Sequence, residues 1–218
     1  MSDPIEQFRW ASHDVRSLLP PNWTAELAHL AGYAGVRRRL EPTSVTSRES
    51  HEVSAVPLII VDGEAIRTDA PWLFALYAGP FRDLAEAYAR RPVYCATEDL
   101  YAINLNIQWG PGMRYECHVD SNPVQGMLYV TSHGDGDGGE LLVANGPGAA
   151  SVEDVDRDHT VIRPEAGQLA LFDARKHAHY VRPVRQSRVR LGVAMNFYTD
   201  DSPEGMRPPD LSWHLFHK

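Results

Sequence analysis

The sequence predicts an α+β protein: a double-sheet jelly roll in its second half, with a mixed helical and strand extension packed on it from the first half. Three observations carry this. From about Val93 the chain breaks into short runs separated by Gly, Pro, Asn and Asp, which is the texture of an all-β module. Before that point helical spacings surround a single β-branched apolar run. A length of 218 residues, with no internal repeat and no low-complexity linker, suits one domain with a substantial core.

Taken in order, residues 1–92 read as support for the sheet. Ile5, Phe8, Trp10, Val15, Leu18 and Leu19 recur at roughly helical intervals over 4–19, and Pro20-Pro21 ends that element. A second helix is expected over 23–32, with Leu27, Leu30 and Ala31 on one face and Gly32 as its stop. Arg37-Arg38-Arg39 reads as a solvated strand edge or loop, with a site for an anionic substrate group as the alternative. The polar stretch 43–52 reads as a loop able to cover a pocket, and His51 within it as a surface histidine. Residues 55–61 are apolar and β-branched, a buried strand closed by the turn pair Asp62-Gly63. Helices are expected over 72–77 and 81–91, the latter ended by Pro92.

Residues 93–200 form the expected jelly-roll core. Strands are predicted over 102–109, 115–120, 126–131, 140–144, 167–172, 177–183 and 188–198, with turns at Gly110-Pro-Gly and at the long, flexible Gly-Asp-Gly-Asp-Gly-Gly run of 134–139. Residues 201–218 are left as a C-terminal tail. The mouth of such a module is a natural place for a small-molecule site.

Composition narrows the function. Apolar residues make up 43% and charged residues 23%, near the globular average. The net charge of −8 argues against a nucleic-acid partner held by phosphate neutralisation. No apolar run suits a membrane helix and no stretch reads as a signal peptide, so a cytoplasmic protein without a membrane partner is expected. The two cysteines, Cys95 and Cys117, stand in no metal or redox spacing and read as reduced and buried.

The chemistry starts at His118-Val-Asp120. In a strand, residues two apart leave the same face, so this histidine and carboxylate can grip one metal ion. The spacing alone is weak, since ten histidines generate it by chance. His133-Gly-Asp135 repeats it at the edge of a glycine-rich turn, where no pleat aligns the two side chains, and reads as a decoy. The Asp-Gly-Asp-Gly run also lacks the further ligands of a calcium loop. A third ligand is available downstream from His179 or its neighbour His177. Two histidines and one carboxylate leave half an octahedron open, which suits ferrous iron better than zinc. No nucleophile elbow, phosphate loop or His-Glu-x-x-His motif competes. Cys117 belongs on the opposite face from His118.

An ordered series then follows: Trp109-Gly-Pro-Gly, Tyr115, His118-Val-Asp120, Leu128-Tyr129-Val130, Gly138-Gly-Glu-Leu141, Gly167 with Phe172, His179 with Val181, Pro183 and Val184, and Arg188 nine residues beyond that histidine. In this it resembles the Fe(II)/2-oxoglutarate-dependent oxygenases, particularly the prolyl 4-hydroxylase-like branch, over roughly 102–198. The resemblance implies a double-stranded β-helix core with iron on His118, Asp120 and His179. It places the distal carboxylate of 2-oxoglutarate on Arg188, with Tyr129 as second donor and Arg190 as runner-up. A guanidinium fork can give a carboxylate two parallel hydrogen bonds. Trp109 stands where the branch has a tyrosine; one indole N–H cannot replace a phenol, so packing is its expected role. Asp120 speaks against the halogenases of the superfamily, which have Gly or Ala there.

The implied reaction is a dioxygenase reaction: O2 and 2-oxoglutarate are consumed, succinate and carbon dioxide leave, and an unactivated C–H bond is hydroxylated. The expected substrate is a small molecule, such as a free amino acid or a secondary-metabolite intermediate. A peptidyl, prolyl-type hydroxylase is the enzymatic alternative, and a non-catalytic metal-binding jelly roll the alternative of another class. Asn104, Asn106, Gln108, Tyr115, Asn122, Arg175 and Asn196 are candidate substrate-binding walls.

Overall fold

The structure, a computed structural model, describes residues 7–40, 45–49, 56–185 and 187–216. Residues 43–44 and 50–52 of the expected covering loop, His51 among them, lie outside the described residues. Two antiparallel sheets pack face to face. The larger comprises β1 (Trp10–Asp14), β2 (Val36–Leu40), β3 (Val56–Val61), β4 (Tyr94–Cys95), β5 (Ile103–Trp109), β7 (Val124–Tyr129), β10 (Gln168–Asp173) and β12 (Val189–Tyr198). Its order is β1-β10-β7-β12-β5-β3-β2, with β4 also on β12. The smaller runs β6-β11-β8-β9, from β6 (Tyr115–His118), β8 (Leu141–Ala144), β9 (His159–Ile162) and β11 (His179–Val181).

The two-residue period of the strands sorts the large sheet into unlike faces. Outward go Ile103, Leu105 and Ile107 of β5, Leu128 of β7, and Leu191, Val193, Met195 and Phe197 of β12, all in one buried apolar cluster. Against them pack α1 (Trp23–Ala34), α2 (Gly63–Asp69), α3 (Pro71–Leu76) and α4 (Arg82–Ala89), through Leu27, Leu30, Ile66, Leu73, Phe74 and Ala85. The intervening residues, Asn104, Asn106, Gln108, Gln125, Arg190 and Asn196, turn towards the smaller sheet. Met127, Phe172, Leu141, Val143 and Val181 fill part of the space between the sheets. Slipping any of these strands by one residue would exchange the faces, so burial of the outer cluster holds the polar set inward.

Several expectations change. The stretch 4–19 does not carry a helix where described: Trp10–Asp14 is a strand and Arg16–Leu18 a single 3-10 turn. Strand β1 pairs antiparallel with β10, and that edge pairing outweighs a marginal helical spacing. Helix α1 runs through Gly32 and ends at Gly35. Asp62-Gly63 starts α2 rather than forming a turn, because the Asp62 carboxylate accepts a hydrogen bond from Ala65 N–H at 3.0 Å. Helices α5 (Asp99–Ala102) and α6 (Val152–Arg157), with β9, were not foreseen. The C-terminal stretch read as a tail contains α7 (Leu211–Phe216), whose Phe216 is buried against Tyr101.

The Gly-rich turn is anchored at its second half. Gly138 has φ +77°, and a Cβ there would fall 2.1 Å from Pro183 O. Both ring nitrogens of His133 lie against carbonyl oxygens, Nδ1 2.9 Å from Gly138 and Nε2 3.1 Å from Val189. Only 134–136 at its tip are exposed. The Arg37-Arg38-Arg39 run sits on edge strand β2, with Arg37 and Arg39 exposed and Arg38 half-buried. No helix among the described residues is long and apolar enough to cross a membrane.

Candidate metal centre and co-substrate cradle

Strand β6 delivers His118 at its last residue, and the antiparallel register sets His179, the first residue of β11, directly opposite. Asp120 lies two residues beyond the strand, but the backbone stays tied: Val119 N–H donates to Thr46 O and Asp120 N–H to Ala174 O, both at 2.9 Å. His118, Asp120 and His179 present ligand atoms within 4.8 Å of one another. Among the described residues this is the only group of three His, Cys, Asp or Glu side chains that could hold a metal ion.

Each histidine is aimed by a backbone carbonyl. His118 Nδ1 lies 2.8 Å from Glu116 O and His179 Nδ1 lies 3.0 Å from His177 O. A carbonyl only accepts, so Nδ1 carries the proton and Nε2 is left for a metal. The two Nε2 atoms lie 3.3 and 3.4 Å from the separate oxygens of Asp120. Burial disfavours charge on His118, but the hydrogen bond and charge of Asp120 outweigh it and raise its pKa to about 9. Burial likewise opposes the Asp120 carboxylate, yet the two histidines hold it well below its ordinary range. The donor set fits a divalent metal with two neutral imidazoles and one ionised carboxylate.

His177 is not in this group. Its ring is buried, with Nδ1 2.9 Å from Ala144 O and the Phe8 ring 5.4 Å away in an edge arrangement. Strand β11 starts at His179, so the alternation that would align the two histidines does not reach back to His177. The decoy also separates: Asp135 is 92% exposed and paired with Arg163, while His133 is buried on backbone carbonyls. Cys117 is buried on the far side of the smaller sheet, in a cluster with Leu142, Val155 and Tyr180.

The two arginines stand in unlike surroundings. Arg188 is 55% exposed and paired with Asp137 at 3.2 Å, outside the cavity. It precedes β12 and follows Ser187 at φ +72°, so it does not share a strand face with Arg190. Arg190 is 1% exposed and lines the cavity. Its Nε donates to Gly139 O at 2.9 Å and its Nη1 to Gln108 Oε1 at 3.1 Å. Nη2 has no partner, and no carboxylate among the described residues pairs with this guanidinium. Burial lowers the Arg190 pKa, with Tyr129 working against the shift. Tyr129 lies beside it, its ring centroid 5.4 Å from the guanidinium carbon and its buried hydroxyl unpartnered.

The cavity beside the triad holds about 80 Å³ and opens to solvent at its mouth. Asn104, Asn106, Tyr115 and Asn196 line it. Gln108 stands behind Arg190 with its Nε2 unpartnered. Asn122 braces the wall, donating to Val124 O and Gln125 Oε1 at 2.9 Å each, and faces a neighbouring hollow. Arg175 is exposed and lines neither space. Trp109 is 56% exposed rather than packed, because Gln108 takes the inward position at that end of β5. Eight lining residues were missed: Ile60, Gln125, Met127, Leu141, Phe172, Val181, Ala194 and Leu215. Parity with Tyr129 on β7 would have found Gln125, whereas nothing local marks Leu215 of α7.

Two buried carboxylates brace the metal strand. Glu49 takes both Arg114 Nη1 at 2.6 Å and Cys117 N–H at 2.6 Å. Glu116 meets His214 of α7 at 2.5 Å and accepts from Ser47 Oγ at 3.2 Å.

The model of the 2OG-Fe(II) oxygenase superfamily matches residues 103–198. No curated protein matches the chain in sequence. Among solved structures, AviO1 from Streptomyces viridochromogenes Tue57 is similar at 16% identity and TM-score 0.64, covering 93% of this chain and 94% of its own. The non-heme alpha ketoglutarate dependent epimerase SnoN from nogalamycin biosynthesis is similar at 15% identity and TM-score 0.58, covering 88% and 78%. A prolyl 4-hydroxylase from Phytophthora capsici gives 15% identity and TM-score 0.55, covering 97% and 67%. At these identities the likeness is one of fold.

Proposed function

The chain belongs to the 2OG-Fe(II) oxygenase superfamily, and from that premise we propose that it oxidises an unactivated C–H bond of a small molecule, with hydroxylation as the outcome. The observation that carries this is Arg190. A buried guanidinium without a carboxylate is costly, and a free Nη2 on the wall of the metal cavity is a place for one.

In this proposal His118, Asp120 and His179 hold the iron, which supplies the activation of O2 coupled to decarboxylation of 2-oxoglutarate. Arg190 takes the distal carboxylate, and the Tyr129 hydroxyl and Gln108 Nε2 are the further donors there. Arg188 has no part in it. Gly139 O and Gln108 Oε1 fix the guanidinium plane, so the fork is set before its ligand arrives. Phe172, edge-on to His179 at 5.4 Å, and the apolar Leu141 and Val181 keep water from the triad.

A walled cavity supports a small molecule, and the superfamily's structural relatives include the nogalamycin enzyme SnoN. A peptidyl substrate is the competing assignment. The deciding experiment adds Fe(II) and 2-oxoglutarate without oxygen, reads the visible charge-transfer band, then admits oxygen and measures succinate. Wild type should give both; a His118→Ala variant that still made succinate at the wild-type rate would end the proposal.

A further inference from the structure

Beyond the cradle, the polar lining of the cavity is made of carboxamides. Asn104 and Asn106 project from β5, Asn196 from β12 and Gln125 from β7. The register brings them together: Asn104 lies opposite Ala194, and Asn196 lies opposite Gln125. Asn104 and Asn106 are 7% and 6% exposed, and the Oδ1 of each has no hydrogen-bond partner. Two buried amide oxygens without a partner, on side chains two residues apart along β5, call for groups that can donate to them.

Charge is the second observation. Apart from the three metal ligands, Arg190 is the only ionisable acid or base of Asp, Glu, Lys, Arg or His type among the described lining residues, and it is assigned to 2-oxoglutarate. A substrate ammonium or carboxylate would enter without a counter-charge, which burial penalises heavily. A hydroxyl both donates and accepts, so it matches a carboxamide in either orientation of the amide. Ile60, Leu215 and the ring of Tyr115 add apolar wall. A ring with C–H faces and hydroxyl edges meets both kinds of wall at once.

We propose that this cavity takes a neutral polyhydroxylated ring, a sugar or cyclitol, free or as a glycoside, whose hydroxyls bond Asn104 and Asn106. The inference rests on the oxygenase assignment above for where the substrate sits, and it replaces the free amino acid as the expected substrate class.

The test offers the protein methyl β-D-glucopyranoside, myo-inositol, L-proline, L-arginine and the blocked dipeptide acetyl-prolyl-glycinamide. Direct binding is read on metal-free protein by saturation-transfer NMR, and stimulation of succinate release on iron-loaded protein. A neutral polyol should bind and stimulate, while the free amino acids do neither at equal concentration. Asn104→Leu and Asn106→Leu should weaken polyol binding roughly tenfold, the loss expected for one buried hydrogen bond, with 2-oxoglutarate affinity unchanged. Asn104→Ser, which keeps a small polar group, covers the case of a misfolded leucine variant and should bind at an intermediate level. Binding of neither polyol, preferential binding of a charged amino acid, stimulation by the blocked dipeptide alone, or variants with wild-type polyol affinity would each overturn the inference. If the iron-loaded wild type makes no succinate at all, the oxygenase assignment has failed, and the NMR result still decides the polyol question.

Discussion

Arg190 and Tyr129 face each other across neighbouring strands of the large sheet, 5.4 Å from guanidinium carbon to ring centroid, and each holds one buried polar atom with no partner. Both groups, the guanidinium Nη2 and the phenol hydroxyl, can donate hydrogen bonds to a carboxylate. Arg190→Leu should raise the 2-oxoglutarate dissociation constant about a hundredfold or more, the scale of losing two charge-assisted bonds, in an anaerobic spectral titration. Arg188→Ala should change it less than about twofold, because an exposed ion pair contributes little. The reverse order would return the role to Arg188. Arg190→Leu should also leave the ligand-free protein as stable as wild type or more so, since it removes a buried charge without a counter-ion.

Metal uptake should release a proton. Without metal, the His118 pKa is raised from 6.5 to about 9, so its imidazolium stabilises the fold fully below about pH 6.5 and that contribution is lost as pH rises through 9. A metal needs Nε2 deprotonated, so between those limits about one proton should leave per ion bound, and affinity should climb towards pH 9. Titration calorimetry in buffers of different ionisation enthalpy measures this. Uptake at neutral pH with no proton released would contradict the His118–Asp120 pairing.

Glu49 should matter to stability without touching the reaction. Its carboxylate has no exposed side-chain surface and holds Arg114 and the Cys117 N–H. Glu49→Ala should cost roughly 3 kcal/mol, as for breaking a buried pair by removing one partner, in urea unfolding. A loss below about 1 kcal/mol would mean that solvent replaces the carboxylate easily.

Gly139→Ala should weaken the co-substrate site from a distance. The residue has φ +82°, and a Cβ would stand 3.1 Å from Arg190 Cδ and 2.9 Å from Val184 Cγ1. Strain in the left-handed region alone costs about 1–2 kcal/mol. A shifted carbonyl also loosens the Arg190 Nε bond, so the 2-oxoglutarate requirement should rise while metal affinity holds. An unchanged 2-oxoglutarate requirement would show that Gly139 does not position Arg190.

The amino-acid sequence by itself determined the texture of the β core, the spacing of His118 and Asp120, and the order of turn glycines, because these depend on local geometry: the two-residue pleat and the chemistry of turns. It also contained the inward polar parity of Asn104, Asn106 and Gln108, which alternation alone makes legible. Only the tertiary structure set Arg188 at the surface and Arg190 in the cavity, since a positive-φ residue before β12 breaks the alternation at the point where counting begins. It alone set β1 on the sheet edge, where unpaired backbone on β10 outweighs a weak helical period. It alone brought Leu215 and His214 of α7 to the site, by contacts between residues roughly a hundred positions apart that no local pattern encodes.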